Sequence, residues 1–261
     1  MRKLLTSGAV AVGMLLASCT PANRVVENPL IGAANTMTLD FPKIELSDTA
    51  TVLHVDAYFR PHNCIRIDAG TYLLADGQKY MLQGSEGILP DSLFWMPDSG
   101  EASFVLKFGP LPRGTKSFDF IESDCDDCFK LYGVDLTGKK EYPRYPEGLP
   151  RALRKAPEDG PVPEPILAVG TTTVNVRLLG YRRGMVKEVA MYVNSLLNGQ
   201  EEHTAAIDPE SGTATLRFEQ YGTAMAYVSC GPVFGMCWIA PGETLDMYIA
   251  MEAGGRAIVQ R

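Results

Sequence analysis

The chain has 261 residues, of which 46% are hydrophobic, and a formal net charge of −7. This length corresponds to one large domain or two ordinary ones, and the hydrophobic content is sufficient for a buried core. The acidic balance, with no basic run, argues against nucleic acid or an anionic membrane surface as a partner, because both are bound through clustered cations.

The N-terminus has the pattern of a bacterial lipoprotein signal peptide. Arg2 and Lys3 precede a 13-residue apolar stretch that is too short to span a bilayer. The motif LASC ends at Cys19 and is typical of a lipobox, in which the cysteine is acylated before cleavage. An ordinary signal peptide with an incidental cysteine is the alternative. We expect residues 1–18 to be removed and residues 19–36 to form the lipidated cysteine and a polar tether. The loss of two cations and no acid would leave 243 residues with a net charge of −9.

Residues 37–140 are predicted to form a β module. In TVLHVDAYFR every second residue from Leu53 onwards is apolar, which indicates a half-buried strand. The pair Asp76-Gly77 predicts a hairpin, because type I′ turns need positive φ at both central residues. In FKLYGVDL the two-residue period shifts at Gly133, as it does at a β-bulge. Many short strands separated by turn signals indicate an antiparallel, Ig-like sandwich.

The second half of the chain predicts a linker and another module. Residues 141–165 contain seven of the 18 prolines and read as an extended inter-domain linker. Residues 166–252 are predicted to form a second antiparallel β-sandwich, and residues 253–261 a polar tail. The segment 185–197 is ambiguous, because its apolar spacing also suits a helix. Its β-branched content and the Asn-Gly turn that follows favour a strand, which we expect.

Cys125 and Cys128, within IESDCDDCFKLYGVDL, form the most suggestive candidate site. A thioredoxin-type pair needs a helix N-terminus that stabilises the thiolate, whereas strand-like runs flank this pair and neighbouring acids raise thiol pKa values. A zinc site would need two further ligands, and the three histidines are scattered singly. We favour an acidic turn closed by a disulfide, with a redox pair and a metal half-site as alternatives.

The remaining cysteines do not form a regular disulfide framework. Without Cys19 the count is five, so at least one thiol cannot pair within the chain. Cys230 and Cys237 flank a glycine-rich turn and are candidates for a cross-strand disulfide or for two buried thiols. Cys64 lies close to His62, with nothing to mark a third, orienting group.

Other catalytic patterns are absent from the sequence. There is no nucleophile elbow, phosphate loop or dinucleotide fingerprint, so we expect no catalytic residue, no metal and no cofactor. Aromatic residues such as Phe94, Trp95 and Tyr142 are candidates for a sugar platform or for core and turn anchors.

Several phrases together resemble a known family: the lipobox, ENPLIGAANT, TVLHVDAYFRP, FWMPDSGEASFVLKFGPLP, FDFIESDCDDCFKLYGVDLTG and APGETLDMYIAM. They are similar to the N-terminal, non-catalytic region of envelope lipoproteins of the Bacteroides group that carry a C-terminal thioredoxin-like domain of the TlpA/ResA kind. The resemblance covers most of residues 27–252. It implies two β-sandwich modules that hold a thiol–disulfide oxidoreductase domain off the membrane. The catalytic cysteines of that domain have no matching positions here, so we expect a shortened relative or part of a longer protein.

We therefore expect a non-catalytic scaffold or interaction module, anchored by lipid in the bacterial cell envelope, on the periplasmic side or at the surface of the outer membrane. Its expected partners are the membrane, through the lipid, and envelope proteins, including thioredoxin-like ones, or glycans. One alternative is a glycan- or peptide-binding module of a nutrient-uptake system. A second alternative is a weak thiol–disulfide redox protein that uses Cys125 and Cys128.

Overall fold

The regular structure of the chain is almost entirely β, which confirms the predicted all-β, sandwich-like fold class. The predicted signal peptide and Cys19 lie outside the described residues. In the described part of the chain, no helix is both long and apolar enough to cross a membrane. The computed structural model describes residues 24–125, 128–155, 164–195, 197–252 and 256–260.

The first module consists of short strands joined by turns. In chain order they are β1 (Arg24–Glu27), β2 (Ala33–Ala34), β3 (Leu39–Leu46), β4 (Thr51–Tyr58), β5 (Cys64–Ile65), β6 (Tyr72–Ala75), β7 (Gln78–Glu86), β8 (Phe94–Trp95), β9 (Glu101–Phe108), β10 (Ser117–Ile121) and β11 (Lys130–Asp135).

Nine of these strands form one sheet in the order β1-β3-β4-β9-β7-β6-β10-β11-β2, and β5 pairs with β8. Strand β7 connects the two halves, because its first residues pair with β6 and its later residues with β9. The sheet therefore folds over on itself, and its two halves face each other across a hydrophobic core. Phe120 of one half lies edge-on to Phe41 and Phe108 of the other, with ring centroids 5.4 and 6.3 Å apart.

Local sequence signals explain several of these elements. The alternation in β4 buries Leu53 and every second residue after it to the end of the strand. Asp76 and Gly77 have φ values of 50° and 77° and join β6 to β7, which confirms the predicted hairpin. Gly133, at φ 64°, lies where the register of β10 and β11 shifts, which confirms the bulge. Its N–H donates to the Asp119 carboxylate at 2.7 Å.

Residues 24–36 are not the polar tether that the sequence predicts. Strand β1 pairs with β3, and β2 pairs with β11, so the segment supplies both edges of the nine-stranded sheet. Val26 and Ile31 are buried in the core of the first module. The tether prediction fails because these strands are too short for a periodic pattern and are defined by distant partners.

The second module is a sandwich of two four-stranded sheets, with orders β15-β12-β18-β19 and β14-β13-β16-β17. Its strands are β12 (Leu167–Leu179), β13 (Glu188–Ser195), β14 (Gly199–Ala206), β15 (Thr213–Gly222), β16 (Ala224–Cys230), β17 (Val233–Ile239), β18 (Thr244–Ala250) and β19 (Arg256–Gln260).

The pairing departs from the predicted antiparallel pattern at one place. Strand β12 runs parallel to β18, with Thr173 opposite Thr244 and Leu179 opposite Ala250. Parallel neighbours need a long crossover connection, and here the intervening strands of the module supply it. The ambiguous segment 185–197 contains β13, as expected.

Two predicted boundaries need correction. The described part of the linker packs against the modules: the Tyr142 hydroxyl accepts a hydrogen bond from the Ile31 N–H of the first module at 3.3 Å, and Leu149 is buried. A short 3₁₀ helix, Arg151–Arg154, follows. The predicted polar tail contains β19, which pairs with β18 and completes a sheet. The first error arises because the linker is held by a contact with a residue distant in sequence, and the second because β19 is a short strand that is defined by its pairing with β18.

The core of the second module continues into the first. Tyr132 of β11 belongs to the same buried cluster as the inward-facing residues of both sheets of the second module. The Ala34 N–H donates to the Met251 carbonyl at 3.2 Å, and the buried Lys130 ammonium donates to the Gly184 carbonyl at 2.8 Å. The two modules therefore form one packed body.

Candidate functional site

The loop between β10 and β11 holds the Cys-x-x-Cys pair. Cys125 and Cys128 are joined by a disulfide, with their Cα atoms 5.3 Å apart. Cys125 is exposed and Cys128 is buried, so Cys125 is the more accessible member of the pair. A disulfide at this position is compatible with a structural role and with a redox role. The residues around the loop distinguish the two.

Hydrogen bonds hold this loop on two sides. The Glu122 carboxylate accepts the Phe129 N–H at 2.8 Å, and the Asn35 side chain donates to the Cys128 carbonyl and accepts the Lys130 N–H, each at 2.8 Å. Burial raises the pKa of Glu122 above its usual range. The loop is therefore fixed to β2 and to the boundary between the modules.

These surroundings do not favour a reactive thiolate. The residues after Cys128 enter strand β11, so in the described part of this loop no helix N-terminus faces the sulfur atoms. Asp124, whose carboxylate accepts a hydrogen bond from the Tyr72 hydroxyl at 3.4 Å, adds negative charge next to Cys125. A nearby negative charge raises the pKa of a thiol. In the described parts of the chain, no three His, Cys, Asp or Glu side chains are grouped so that they could hold a metal ion.

Cys230 and Cys237 do not form the disulfide that was one of their predicted alternatives. In the hairpin of β16 and β17, Cys230 lies opposite Val233 and Cys237 lies opposite Ala226, so the two cysteines are not facing residues. Burial raises the pKa of Cys230 to about 12, which keeps it a protonated, unreactive thiol at neutral pH. Cys64 pairs with Trp95 where β5 meets β8 and is likewise not disulfide-bonded.

The aromatic residues that the sequence offered as a sugar platform lie on different elements. Phe94 packs against the core of the first module, whereas Trp95 beside it is 63% exposed. Tyr142 lies in the segment after β11 and bonds to the backbone of Ile31. Phe94 and Tyr142 therefore anchor their segments to the first module, whereas the ring of Trp95 is exposed.

A different aromatic surface covers the outer side of the β14-β13-β16-β17 sheet. We call it the aromatic face; on it Phe234 and Met236 are 65% and 64% exposed. The rings of Tyr227 and Phe234 stack with centroids 5.9 Å apart and an interplanar angle of 25°. The aromatic face comprises Tyr192, Met225, Tyr227, Phe234, Met236 and Trp238.

Polar groups border the aromatic face on the β14 side. The register places Glu202 opposite Tyr192 and Gln200 opposite Asn194. A hydrogen bond to the Glu202 carboxylate raises the pKa of Tyr192, and Gln200 donates to Asn194 at 3.4 Å. The outer side of this sheet is therefore polar along β14 and apolar along β16 and β17.

The aromatic face is not among the sequence-predicted sites. Strand β17, VFGMCWI, carries apolar or small residues on both faces, a pattern typical of a strand that is buried on both sides. The available signal lies in the neighbouring strands, where Tyr192 and Tyr227 alternate with buried aliphatic residues and so must point outward.

A cleft of about 550 Å³ lies between the modules, beside the cysteine loop. The cleft is lined by apolar side chains together with one cation, Lys187, and one carboxylate, Glu188. Because the two charges are opposite, the charge of the cleft does not indicate a class of ligand. The lining residues are Asn35, Thr36, Phe129, Met185, Val186, Lys187, Glu188 and Gly231.

The chain matches no known protein family, and comparisons with characterised proteins and with solved structures find no match either.

Proposed function

We propose that the protein is a non-catalytic interaction module of the bacterial cell envelope, held at the membrane by lipid on Cys19. The observation that carries this proposal is the aromatic face, where Phe234 and Met236 are well exposed on an ordered sheet. Contiguous exposed apolar surface of this kind marks interaction sites in soluble proteins. Aromatic and thioether side chains are also enriched where proteins bind partners.

Support for the scaffold part of the role comes from the packing of the modules. Because Tyr132 and Lys130 of the first module are buried against the second, the aromatic face has a fixed orientation relative to β1. Envelope proteins, including thioredoxin-like ones, and glycans are the proposed partners.

Position-specific photo-crosslinking in the native cells tests the interaction role. A photoreactive amino acid replaces Met236 on the aromatic face or, as a control, the exposed Lys107 of β9 in the first module. We expect a discrete adduct from position 236 that is absent at position 107 and is lost when Tyr227→Ala is added. Identical patterns at both positions, or no adduct at position 236, would refute the role of this face.

Membrane anchoring is tested separately with Cys19→Ser. This substitution removes the thiol that a lipobox acylates, so we expect the protein to move from the membrane fraction to the soluble fraction and to lose incorporation of labelled fatty acid. Cys64→Ser serves as the matched control and should change neither. Membrane retention of the Cys19→Ser protein would contradict lipid anchoring.

The Cys125–Cys128 disulfide supports a second candidate function, thiol–disulfide exchange. A partner dithiol would attack the sulfur of Cys125, the more accessible member of the pair, and release the Cys128 thiolate. The second thiol of the partner would then resolve the mixed disulfide, which leaves two reduced cysteines here and a disulfide in the partner. A reduction potential below about −300 mV would exclude this role, because structural disulfides have potentials in that range.

A further inference from the structure

The outer side of the β14-β13-β16-β17 sheet is organised in rows that cross the strands. In the central row Glu202, Tyr192, Tyr227 and Met236 lie opposite one another in turn. In this row the carboxylate stands at one end, two rings lie in the middle and a thioether stands at the other end. A ligand along the row would meet a hydrogen-bond acceptor first and an apolar floor beyond it.

The rows on either side repeat the same gradient. In one of them Gln200 and Asn194 precede Met225 and Trp238, and in the other Thr204 and Ala190 precede Ser229 and Phe234. Polar side chains thus predominate at the outward positions of β14, while the rings lie on β13, β16 and β17. Binding sites for small polar ligands share this composition: an apolar or aromatic floor and a few polar groups that fix orientation.

Charge narrows the class of ligand. The outward positions of these strands carry carboxylates, Glu188 and Glu202, and no lysine or arginine. The whole chain is also acidic, with a net charge of −7. Phosphates, sulfates and other anionic groups would be repelled, because their recognition depends on paired cations. The surface therefore disfavours anionic ligands and favours a ligand that donates hydrogen bonds.

A neutral sugar chain fits this pattern. Each pyranose ring presents C–H groups on a face, which pack on aromatic rings, and hydroxyl groups at its edge, which donate to carboxylate and amide oxygens. Tyr192 and Tyr227 lie on adjacent strands, about 4.8 Å apart in the pairing direction, which is comparable with the length of one sugar unit. A row of the sheet can therefore contact consecutive units of an extended chain.

We infer that the aromatic face binds a neutral polysaccharide, with its hydroxyl groups on Glu202 and Asn194 and its ring faces on Tyr227, Phe234 and Trp238. This inference rests on the proposed interaction role and names its ligand class. A protein partner is the other occupant of such a face. It is a separate outcome of the test below.

The test uses the full chain purified in detergent, an array of neutral oligosaccharides and gel-shift titrations with soluble neutral polysaccharides. Dextran and dextran sulfate are included because they share a backbone and differ in charge. We expect retardation by at least one neutral glycan and none by dextran sulfate. Phe234→Ala and Tyr227→Ala should each weaken binding about tenfold. Phe234 is largely exposed, so its removal leaves the fold intact.

Trp95→Ala removes an exposed ring from the first module and is the matched control, with binding expected to remain unchanged. The inference is overturned by a blank array, by binding that is insensitive to Phe234→Ala and Tyr227→Ala, or by equal binding of dextran and dextran sulfate. If the array is blank but a protein adduct forms at position 236, the inference of glycan binding is wrong and the proposed interaction role of the aromatic face stands. A blank array with no adduct would overturn both.

Discussion

His203 is a titratable residue held in an apolar setting. It points inward from β14, its ring stacks on Phe218 with centroids 4.1 Å apart, and its Nε2 finds no hydrogen-bond partner among the described residues. Burial lowers the pKa of His203, an effect that nearby Glu201 partly opposes. The folded protein therefore favours the neutral imidazole.

We predict that this histidine makes the protein less stable in acid. Because the folded pKa lies below the unfolded value of about 6.5, the unfolded chain binds more protons as the pH falls through that value. The free energy of unfolding should decrease from pH 7.5 to 5.5. His203→Phe, which keeps a ring on Phe218, should reduce that decrease. Urea unfolding at both pH values measures the difference, and an equal pH dependence in the two proteins would contradict the prediction.

The contrast between the cysteines shows what the sequence reveals at the residue scale. The Cys125–Cys128 pair is visible because its two members are three residues apart, and residues so close in sequence are close in any fold. Whether Cys230 meets Cys237 depends on the register of a hairpin, and a shift of register changes which side chains face each other. Spacing in the sequence cannot supply that register.

At the scale of elements, locally encoded structure is predicted well. The hairpin at Asp76-Gly77 and the bulge at Gly133 follow from the φ values that particular residues allow. Strands β1, β2 and β19 escape prediction because each is short and is defined by its pairing with another strand. The parallel pairing of β12 with β18 also escapes prediction, because it connects segments that are distant in sequence.

The β6–β7 hairpin allows a matched test of backbone strain. Gly77 has a φ of 77°, and apart from its chain neighbours no atom lies within 4 Å of the position that a Cβ would take, so Gly77→Ala adds strain without a steric clash. We expect it to lower the free energy of unfolding by about 1–2 kcal/mol. Gly84→Ala in β7 is the control, because that position is equally open and lacks a positive φ. Chemical denaturation compares the two variants, and equal effects would show that strain at the turn is not the cause.

At the scale of the whole molecule, the shared core couples the two modules. The prediction of an extended inter-domain linker comes from composition, which describes a segment and not the surfaces on either side of it. Tyr132 and Lys130 are buried against the second module, and neither position is distinguishable in the sequence from an ordinary strand residue. The aromatic face is hidden from sequence inspection for a similar reason, because exposure depends on what packs against a strand.

We predict that both modules unfold in a single step and that Lys130 contributes to their coupling. Lys130→Met keeps most of the apolar stem but removes the hydrogen bond to the Gly184 carbonyl. The expected loss is about 1.5–3 kcal/mol, the range for hydrogen bonds to charged groups. Lys139→Met, at an exposed position of the same module, is the control and should cost little. Hydrogen exchange in β4 and β16 follows the modules separately, and divergent opening energies in the unaltered protein would contradict single-step unfolding.

The place of β1 in the sheet sets a height limit for the proposed membrane-bound protein. Arg24, its first residue, follows Cys19 by five residues, which span about 17 Å at most when fully extended. A lipid on Cys19 would hold the β1 edge of the first module close to the lipid headgroups. The connection is too short for the two packed modules to rotate freely relative to the bilayer. The height of the aromatic face above the bilayer would then be set by the packed body of the two modules and not by the length of a flexible tether.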